Sequence, residues 1–434
     1  MKNPGRMAVV SWALYDWANS AFATTAMAGF FPLFFKQFWN YGADPALSTA
    51  RLGLGNSVSG LAIVILAPVL GAIADRGSAR KVFLIFFALL GLSMTASLAL
   101  VPRGAWGFAM GAYILAAVGF SGGNVFYDSL LPSVAPENRM HVVSALGFSL
   151  GYLGGGLLFA LNVLAVVKPS LFGLAGPSQA VRLSFVTVAL WWLVFSLPLA
   201  LFVREEGTNQ RRPGMVKAGL RQLLATFSEI RKHRTVLLFL LAYWCYIDGV
   251  DTVVRMAVDY GLSLGFDSND LITALLITQF VGFPCALLFG FLGQRTGAKR
   301  AIFIAIGVYL FLSLWGAFIR TKGEFYLMAA IVGFVQGGIQ SLSRSFFARL
   351  IPGGKSGEYF GFYNMLGKFA VIFGPVLMGS SALMFRSLGA GGDLASRMSI
   401  TSLSLLFLGG GVLLFFVDEE KAKAEASGQV QGNA

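Results

Sequence analysis

The chain has 434 residues, of which 56% are hydrophobic and only 12% are Asp, Glu, Lys or Arg. Soluble domains carry about a quarter charged residues, so this composition excludes an ordinary soluble protein and indicates a chain surrounded mostly by lipid. Lys and Arg outnumber Asp and Glu by 33 to 20, which gives a net charge of +13. Cys245 and Cys285 both fall in apolar runs, which excludes a disulfide framework and a cysteine-based metal site.

Apolar stretches long enough to cross a bilayer, about 20 helical residues, recur along the chain. They are 8–35, 54–74, 82–101, 105–131, 141–167, 183–203, 235–258, 271–292, 300–319, 325–347, 359–385 and 398–417. They lack the alternation of a membrane β-barrel, and the 53 glycines suit closely packed helices. The sequence therefore predicts an all-α polytopic membrane protein with twelve transmembrane helices. Lys2 and Arg6 precede the first stretch as in a signal peptide, but its length and Asp16 favour a retained helix.

Lys and Arg are unevenly distributed among the predicted loops. The side that holds both termini and the central loop carries 21 of them, and the other side carries 9. The remaining three, Arg255, Arg344 and Lys368, fall inside predicted helices. Because cytoplasmic loops are enriched in Lys and Arg, this bias predicts a multi-pass protein of the inner (plasma) membrane with both termini in the cytoplasm. It also removes nucleic acid as the reason for the positive charge.

An internal repeat divides the chain. Residues 71–81, after the second predicted helix, match residues 290–300, after the eighth, with their basic positions aligned at an offset of 219. A second match, at an offset of 216, pairs the loop at Pro136 with the loop at Pro352. Two matches at corresponding loops indicate a duplicated six-helix unit. The predicted units are a first bundle, a linker, a second bundle and a tail, over residues 1–203, 204–234, 235–417 and 418–434.

The linker and the tail differ in composition from the bundles. Residues 204–234 carry apolar side chains at helical spacing, with Lys217, Arg221 and Arg231 on another face. We expect a basic amphipathic helix on the membrane surface, with a solvated linker as the alternative. Residues 418–434 are charged and rich in small residues, which predicts a disordered cytoplasmic tail.

Polar side chains inside the predicted helices fall mainly in the first, fourth, seventh and tenth helices. Charged groups are costly in a bilayer, so they usually face the interior of the bundle or a water-filled path. We therefore predict a solute- and proton-binding site made of Asp16, Asn19, Asn124, Asp248, Asp251, Arg255, Gln336, Gln340 and Lys368. Asp128 and Arg344 lie at similar depths near the cytoplasmic ends of their helices, which predicts a gate pair, with ordinary charges at helix ends as the alternative.

Alternatives stay open for two of these acids. Asp251 and Arg255 stand four residues apart, so an intrahelical ion pair is the other interpretation of that helix. Asp248 would then stay unpaired and become the candidate proton carrier. Asp16, which is flanked by Tyr15 and Trp17, is either a second such group or a hydrogen-bonding post that fixes the first helix.

Residues 71–81 include Gly71, Asp75, Arg76 and Arg80, and they resemble the loop signature of the major facilitator superfamily, apart from Ser78 and Ala79. Residues 11–22, 337–352 and 358–368 are similar to the branch related to the fungal vacuolar amino-acid effluxer. The resemblance implies two pseudo-symmetric six-helix bundles and amino-acid transport. It also implies that Asp75 caps a helix of the other half and, with Arg76 and Arg80, closes the cytoplasmic side. From the residues alone, Asp75 caps the third helix or pairs with Arg80.

An intramembrane enzyme is the other class that such a chain allows. Only two histidines exist, His141 and His233, both placed in predicted loops, so a serine protease or a histidine-ligated metal site is not expected. The sequence around Asp248 lacks the glycines of an aspartyl protease, and no phosphate-binding loop is present. We predict a protein that is not an enzyme and has no metal or cofactor.

The predicted function is secondary transport of a small polar solute, amino acids first, by alternating access and with proton coupling. The expected partners are the solute, a proton or another coupling ion, and membrane lipid, and the chain is expected to act as a monomer. Two alternatives stay open: proton-driven efflux of drugs or hydrophobic cations, and a non-transporting sensor on the same fold.

Overall fold

A computed structural model describes residues 5–43, 45–77, 79–205, 230, 233–263, 265–352, 354–389 and 392–421. The surface helix predicted within 204–234 and most of the tail predicted over 418–434 lie outside these described residues. Helices joined by short turns make up nearly all of the described chain, as the apolar stretches predict.

Twelve long helices follow one another in the described residues. They are α1 (Arg6–Ala21), α2 (Pro45–Gly77), α3 (Arg80–Ser97), α4 (Trp106–Ser129), α5 (Met140–Val167), α6 (Pro177–Phe202), α7 (Arg234–Ser263), α8 (Ser268–Thr296), α9 (Ala298–Trp315), α10 (Lys322–Leu350), α11 (Ser356–Ser387) and α12 (Ser404–Phe415). Within the described chain, ten stretches are long and apolar enough to cross a membrane, and they fall in all of these helices except α1 and α11. The predicted all-helical membrane fold is confirmed.

The first helix departs from the regular span predicted over 8–35. Beyond α1 the chain continues as a π-helix over Phe22–Phe30 and has a second π-helical stretch over Phe35–Trp39. π-helical turns are rare and are found most often at functional sites. A Cβ atom at Gly29 would come within 2.8 Å of the Phe159 ring, so the wide turn lies directly against α5.

The helices pack as two groups of six. In the first half α1 packs on α5 and α6, and α3 packs on α4; in the second half α8 packs on α10, and α7 packs on α11 and α12. Between the halves, α2 packs on α11, and α5 packs on α8 and α10. The α2–α11 and α5–α8 contacts are counterparts, because α8 repeats α2 and α11 repeats α5.

The two ends of the bundle carry different connections. The terminal face carries the start of α1, the end of α12 and the turns α2–α3, α4–α5, α8–α9 and α10–α11. The opposite face carries the turns α1–α2, α3–α4, α5–α6, α7–α8, α9–α10 and α11–α12. The distribution of Lys and Arg predicts that the terminal face is cytoplasmic.

Candidate functional site

The contact between α2 and α11 joins the two halves at the terminal face. Asp75, near the end of α2, accepts hydrogen bonds from the backbone N–H groups of Gly357 (2.9 Å) and Glu358 (2.8 Å) in the first turn of α11. The free N–H groups and the dipole of a helix N-terminus favour a carboxylate there. The helices approach closely at Gly71, where a Cβ atom would overlap the carbonyl oxygen of Gly357. The carboxylate of one half therefore caps a helix of the other.

Arg80, at the start of α3, connects this contact to the rest of the first half. Its Nε lies 3.1 Å from Asp75 Oδ1 and 3.0 Å from Glu205 Oε1. Its Nη1 donates to the carbonyl oxygen of Ser129 (3.2 Å) and to the hydroxyl of Ser356 (2.5 Å). Because Ser356 belongs to α11, one guanidinium group contacts both halves.

These contacts bear on the alternatives left open for Asp75. Asp75 pairs with Arg80, and it caps α11 of the other half, whereas the first amide of α3 donates to Glu205 (3.2 Å). Glu205 gave no signal in the sequence, because it lies in the polar stretch after α6. The side chain of Arg76 lies outside the described residues. The gating roles of Asp75, Arg76 and Arg80 stay predictions, and the contacts supply the geometry for two of them.

The contact between α5 and α8 is the counterpart in the repeat. Gln294 follows Asp75 by 219 residues, and its Nε2 donates to the carbonyl oxygen of Asn138 (2.5 Å). Asn138 in turn precedes Gly357 by the same 219 residues. One repeat thus uses a carboxylate on two amides, and the other uses a neutral amide on one carbonyl. The two closures are equivalent in position and differ in charge.

Arg344 of α10 lies across the interface, deep among helices of the first half. Its residue is 3% exposed, and its Nη1 lies 3.0 Å from Asp128 Oδ1 and 3.8 Å from Asp16 Oδ2. Its Nε donates to the Ser144 hydroxyl (2.9 Å), and its Nη2 donates to the Ser144 carbonyl oxygen (2.8 Å). A buried charge persists only when it is paired and hydrogen-bonded, and both conditions are met here. The structure brings together the two residues predicted as a gate pair.

Aromatic rings surround the Arg344 guanidinium on its remaining sides. Its carbon lies 4.3 Å from the ring centre of Phe148, 4.9 Å from that of Trp12 and 5.2 Å from that of Tyr127. Ring faces at this distance attract a cation. The Tyr127 hydroxyl donates to Asp16 Oδ2 (3.2 Å), and Trp12 Nε1 donates to the Tyr127 carbonyl oxygen (3.0 Å). Asp16 therefore takes part in the interface and also receives a hydrogen bond within its own half.

The second half also contacts this cluster through α11. Asn364 Nδ2 donates to Asp128 Oδ2 (3.1 Å), so that both oxygens of this carboxylate have partners from the second half. Lys368, one turn further along α11, is half-buried and interacts electrostatically with Asp128. Two acids and two bases, from α1, α4, α10 and α11, thus meet near the middle of the interface.

Asp248 lies apart from this cluster, between α7 and α11 of the second half. It is 1% exposed, and its Oδ1 accepts from the backbone N–H of Gly374 (2.8 Å) and from the Thr252 hydroxyl (3.4 Å). Among the described residues its buried Oδ2 has no hydrogen-bond partner. Asp251 interacts with it electrostatically. The side chain of Arg255 lies outside the described residues, so an Asp251–Arg255 pair stays a prediction.

The predicted amide residues fall into two places. Asn19 Nδ2 donates to Asn124 Oδ1 (2.6 Å) and joins α1 to α4 inside the first half. Gln336 lines a mostly apolar cavity of about 80 Å³ in the second half, and in the described structure its buried Oε1 lacks a hydrogen-bond partner. Gln340, one turn along α10, is half-buried. The structure does not bring Asn19 and Gln336 into contact.

Sequence reasoning missed several residues that join the halves near the middle of the membrane. Ser149 donates to the Phe283 carbonyl oxygen (2.7 Å), and Gln279 Nε2 donates to the Thr24 hydroxyl (2.7 Å). The Tyr152 ring lies between α8 and α10, where Cβ atoms at Gly282 and Gly337 would come within 2.8 and 2.7 Å of it. Uncharged hydroxyl and amide groups in apolar runs give no charge signal, although these two glycines mark the close approach.

The polar contacts between the halves described above lie between the terminal face and the level of Gln279. At the opposite face, Lys322 pairs with Asp270 (2.7 Å) within the second half, and Arg182 donates to the Ala99 carbonyl oxygen (2.6 Å) within the first. The described structure is therefore joined across its halves at the terminal face.

Two six-helix halves of this topology, joined at one face by a capped helix and a buried ion pair, define a transporter of the major facilitator superfamily. Two solved structures share the fold, each at 15% identity and a TM-score of 0.71. The human organic anion transporter MFSD10 matches over 94% of this chain and 99% of its own, and the proton:xylose symporter XylE matches over 98% and 97%.

The chain belongs to the family described as vacuole effluxer Atg22-like, whose model matches residues 48–427. It is 39% identical to the MFS-type transporter YxiO of Bacillus subtilis (strain 168), over 94% of either chain. It is 26% identical to autophagy-related protein 22 of Coccidioides immitis (strain RS), over 96% of this chain and 87% of that protein. The predicted family is confirmed. Since its members are transporters, the prediction that the chain is not an enzyme is confirmed as well.

Proposed function

We propose that this chain is a secondary active transporter that moves a small polar solute, amino acids first, across the plasma membrane by alternating access and with proton coupling. In this proposal the terminal face is cytoplasmic, as the distribution of Lys and Arg predicts. The chain acts as a monomer, because both halves of the site come from one polypeptide.

The observation that carries the proposal is the Arg344–Asp128 ion pair between the halves. A buried ion pair is a poor source of net stability, because desolvation offsets most of its Coulomb energy. It is, however, a good device for two conformations, since its partners can exchange one set of neighbours for another when the halves move. A pair that bridges two repeats at one face fits a closure that forms in one state and breaks in the other.

The charges near the centre of the interface support a polar, zwitterionic solute. An amino acid carries an ammonium and a carboxylate group, and Asp16 and Lys368 offer one charge of each sign from opposite halves. Both residues are half-buried, unlike Asp128 and Arg344, which are buried. The word effluxer in the family description supports export as the direction.

Asp248 and a relative in fold support proton coupling. A buried carboxylate oxygen without a hydrogen-bond partner is costly when charged, which favours a group that takes up and releases a proton. The structural neighbour XylE is described as a proton:xylose symporter, so this fold serves proton coupling in that protein.

Flux in proteoliposomes tests the proposal. The purified chain is assayed with labelled amino acids and with cationic dyes, with and without a pH gradient. We expect at least one amino acid to move faster under the gradient and the dyes to stay. Movement of dyes alone would instead support drug efflux, and solute binding without any flux would support a sensor.

The variant Asp248→Asn separates coupling from transport. We expect it to lose gradient-driven accumulation and to keep solute counterflow, because exchange of solute requires no proton. The matched control is Asp418→Asn, which alters an exposed carboxylate at the terminal face. Gradient-driven flux that is unchanged in Asp248→Asn would remove Asp248 from the coupling mechanism.

A further inference from the structure

His141 is a buried titratable group that the transport site above does not use. The sequence analysis placed it in a loop, but it lies in the first turn of α5 and is 1% exposed. Its Nδ1 lies 2.8 Å from the Ser345 hydroxyl oxygen, and its Nε2 lies 3.0 Å from Arg349 Nη1. Because Ser345 and Arg349 both belong to α10, the imidazole joins the halves through both of its nitrogens.

The Arg349 contact fixes the protonation of the ring. A guanidinium group has only donors, so Nη1 donates and Nε2 accepts, which leaves no proton on Nε2. The proton of the neutral imidazole is then on Nδ1 and is donated to Ser345. A proton on Nε2 would place a donor against a donor and a cation against a cation. In this closed conformation His141 is therefore neutral.

The other charged groups at this position hold Arg349 in place. Glu419, in the segment that follows α12, lies 3.1 Å from Arg349 Nη2, and Glu137, one turn before His141, lies 3.9 Å from it. From α8, Gly290 packs against the His141 backbone. One turn further along α5, the cation of Arg344 is bound at Ser144. The groups that face the ring itself are thus a hydroxyl and a cation, and the two acids lie on the cation.

We propose that His141 is a proton-binding residue of the terminal-face closure, and that proton uptake at Nε2 breaks its contact with Arg349 and opens that face. The proposal rests on alternating access, as proposed above, and is independent of the solute and of Asp248. Its sign follows from the contact. The open state binds a proton that the closed state excludes, so acidification at the terminal face favours opening.

The size of the effect follows from proton linkage. Imidazole gains and loses its proton between about pH 5 and 8. Below the titration midpoint of the open state, the ratio of closed to open molecules falls by up to ~10-fold for each unit of pH, because one proton distinguishes the states.

A distance measurement across the terminal face tests the proposal. The full chain, with Cys245→Ser and Cys285→Ser, carries spin labels at Arg139→Cys and Thr296→Cys, two exposed positions on opposite halves. It is placed in lipid nanodiscs without solute, and the distance distribution is recorded between pH 8 and 5.5. We expect the long-distance population to grow steadily as the pH falls.

Two histidine variants assign the effect. We expect His141→Gln to stay at the short distance at every pH, because an amide accepts from Arg349 and donates to Ser345 without binding a proton. The other histidine of the chain supplies the matched control, and His233→Gln is expected to shift as the unsubstituted chain does. A full pH shift in His141→Gln, no shift in the unsubstituted chain, or loss of the shift in His233→Gln would each overturn the proposal.

Arg349→Gln is a second route to the same answer if His141→Gln does not fold. It keeps a donor for Nε2 but removes the cation, so we expect a smaller pH shift than in the unsubstituted chain. An equal shift would count against the proposal. Solute flux separates this outcome from failure of the proposed function: an error about His141 leaves flux intact, whereas an error about transport leaves no flux in any variant.

Discussion

Arg344 and Asp128 lie 3.0 Å apart and are separated by 216 residues in the sequence, the same offset that relates one pair of matching loops in the two halves. Positions that are equivalent by the repeat can meet only near the axis that relates the halves. An acid at one position and a base at its equivalent turn a self-contact into an attraction. The duplicated chain thus has its strongest polar bridge where both halves contribute the same position.

Removal of one partner of this pair is expected to favour the open terminal face. Arg344→Gln leaves the two acids without their cation, and breaking a buried pair in this way costs about 3–5 kcal/mol. We expect the distance between the labels at 139 and 296 to lengthen at pH 8. Arg182→Gln, which removes an arginine contact inside the first half, is the control and should keep the short distance.

The double variant Asp128→Asn with Arg344→Gln gives the complementary result. It leaves fewer buried charges unpaired than either single change, so its effect is expected to be smaller than the sum of the two. Strictly additive effects would show that the pair does not hold the halves together.

The α2–α11 contact is expected to require glycine at position 71. Gly71→Ala places a methyl group against the backbone of Gly357, and overpacking of this kind costs about 1–3 kcal/mol. We expect maleimide to label a cysteine at the buried Ser129 position roughly 10-fold faster in this variant, since 1.4 kcal/mol corresponds to a factor of ten.

Gly60→Ala is the matched control on the same helix. A Cβ atom at Gly60 meets nothing within 4 Å, so labelling at Ser129→Cys is expected to stay at its original rate. Equal rates in Gly71→Ala and Gly60→Ala would show that the close approach of α2 to α11 does not protect this face.

The contact of Asp248 with α11 is expected to depend on Gly374. A Cβ atom at Gly374 would overlap the Thr252 hydroxyl and press on Asp248, whereas one at Gly379, further along α11, meets nothing within 4 Å. We expect Gly374→Ala to weaken gradient-driven flux and lower the thermal unfolding temperature, and Gly379→Ala to change neither. A Gly374→Ala protein with full coupling would argue against a role for this contact.

Charge was the part of the site that the sequence predicted best. Asp128, Arg344 and Asp75 carry ionisable groups where lipid penalises them, so their burial between helices followed from solvation alone. The repeat then indicated which ends of the helices correspond. Long apolar stretches fixed the helices for the same reason, although the π-helical turn after Ala21 leaves no mark in an apolar sequence.

Partners were harder to predict than positions. The sequence left Asp75 between α3 and Arg80, because the choice depends on Glu205, which lies outside any recognisable pattern, and on the approach of α11 in space. His141 was assigned to a loop because it sits at the first apolar turn, where one residue decides between solvent and interface. Tyr152 and Gln279 are uncharged, so only the packing of the halves reveals them.

The most direct test of alternating access is a reversible lock on the terminal face. Asn138→Cys and Gln294→Cys, introduced with Cys245→Ser and Cys285→Ser, place two thiols where the halves touch in the closed conformation. Flux of the best amino acid from the proteoliposome panel is measured before crosslinking, after crosslinking and after reduction. We predict that flux stops in the crosslinked protein and returns on reduction; undiminished flux through the crosslinked protein would contradict a transport cycle that opens this face.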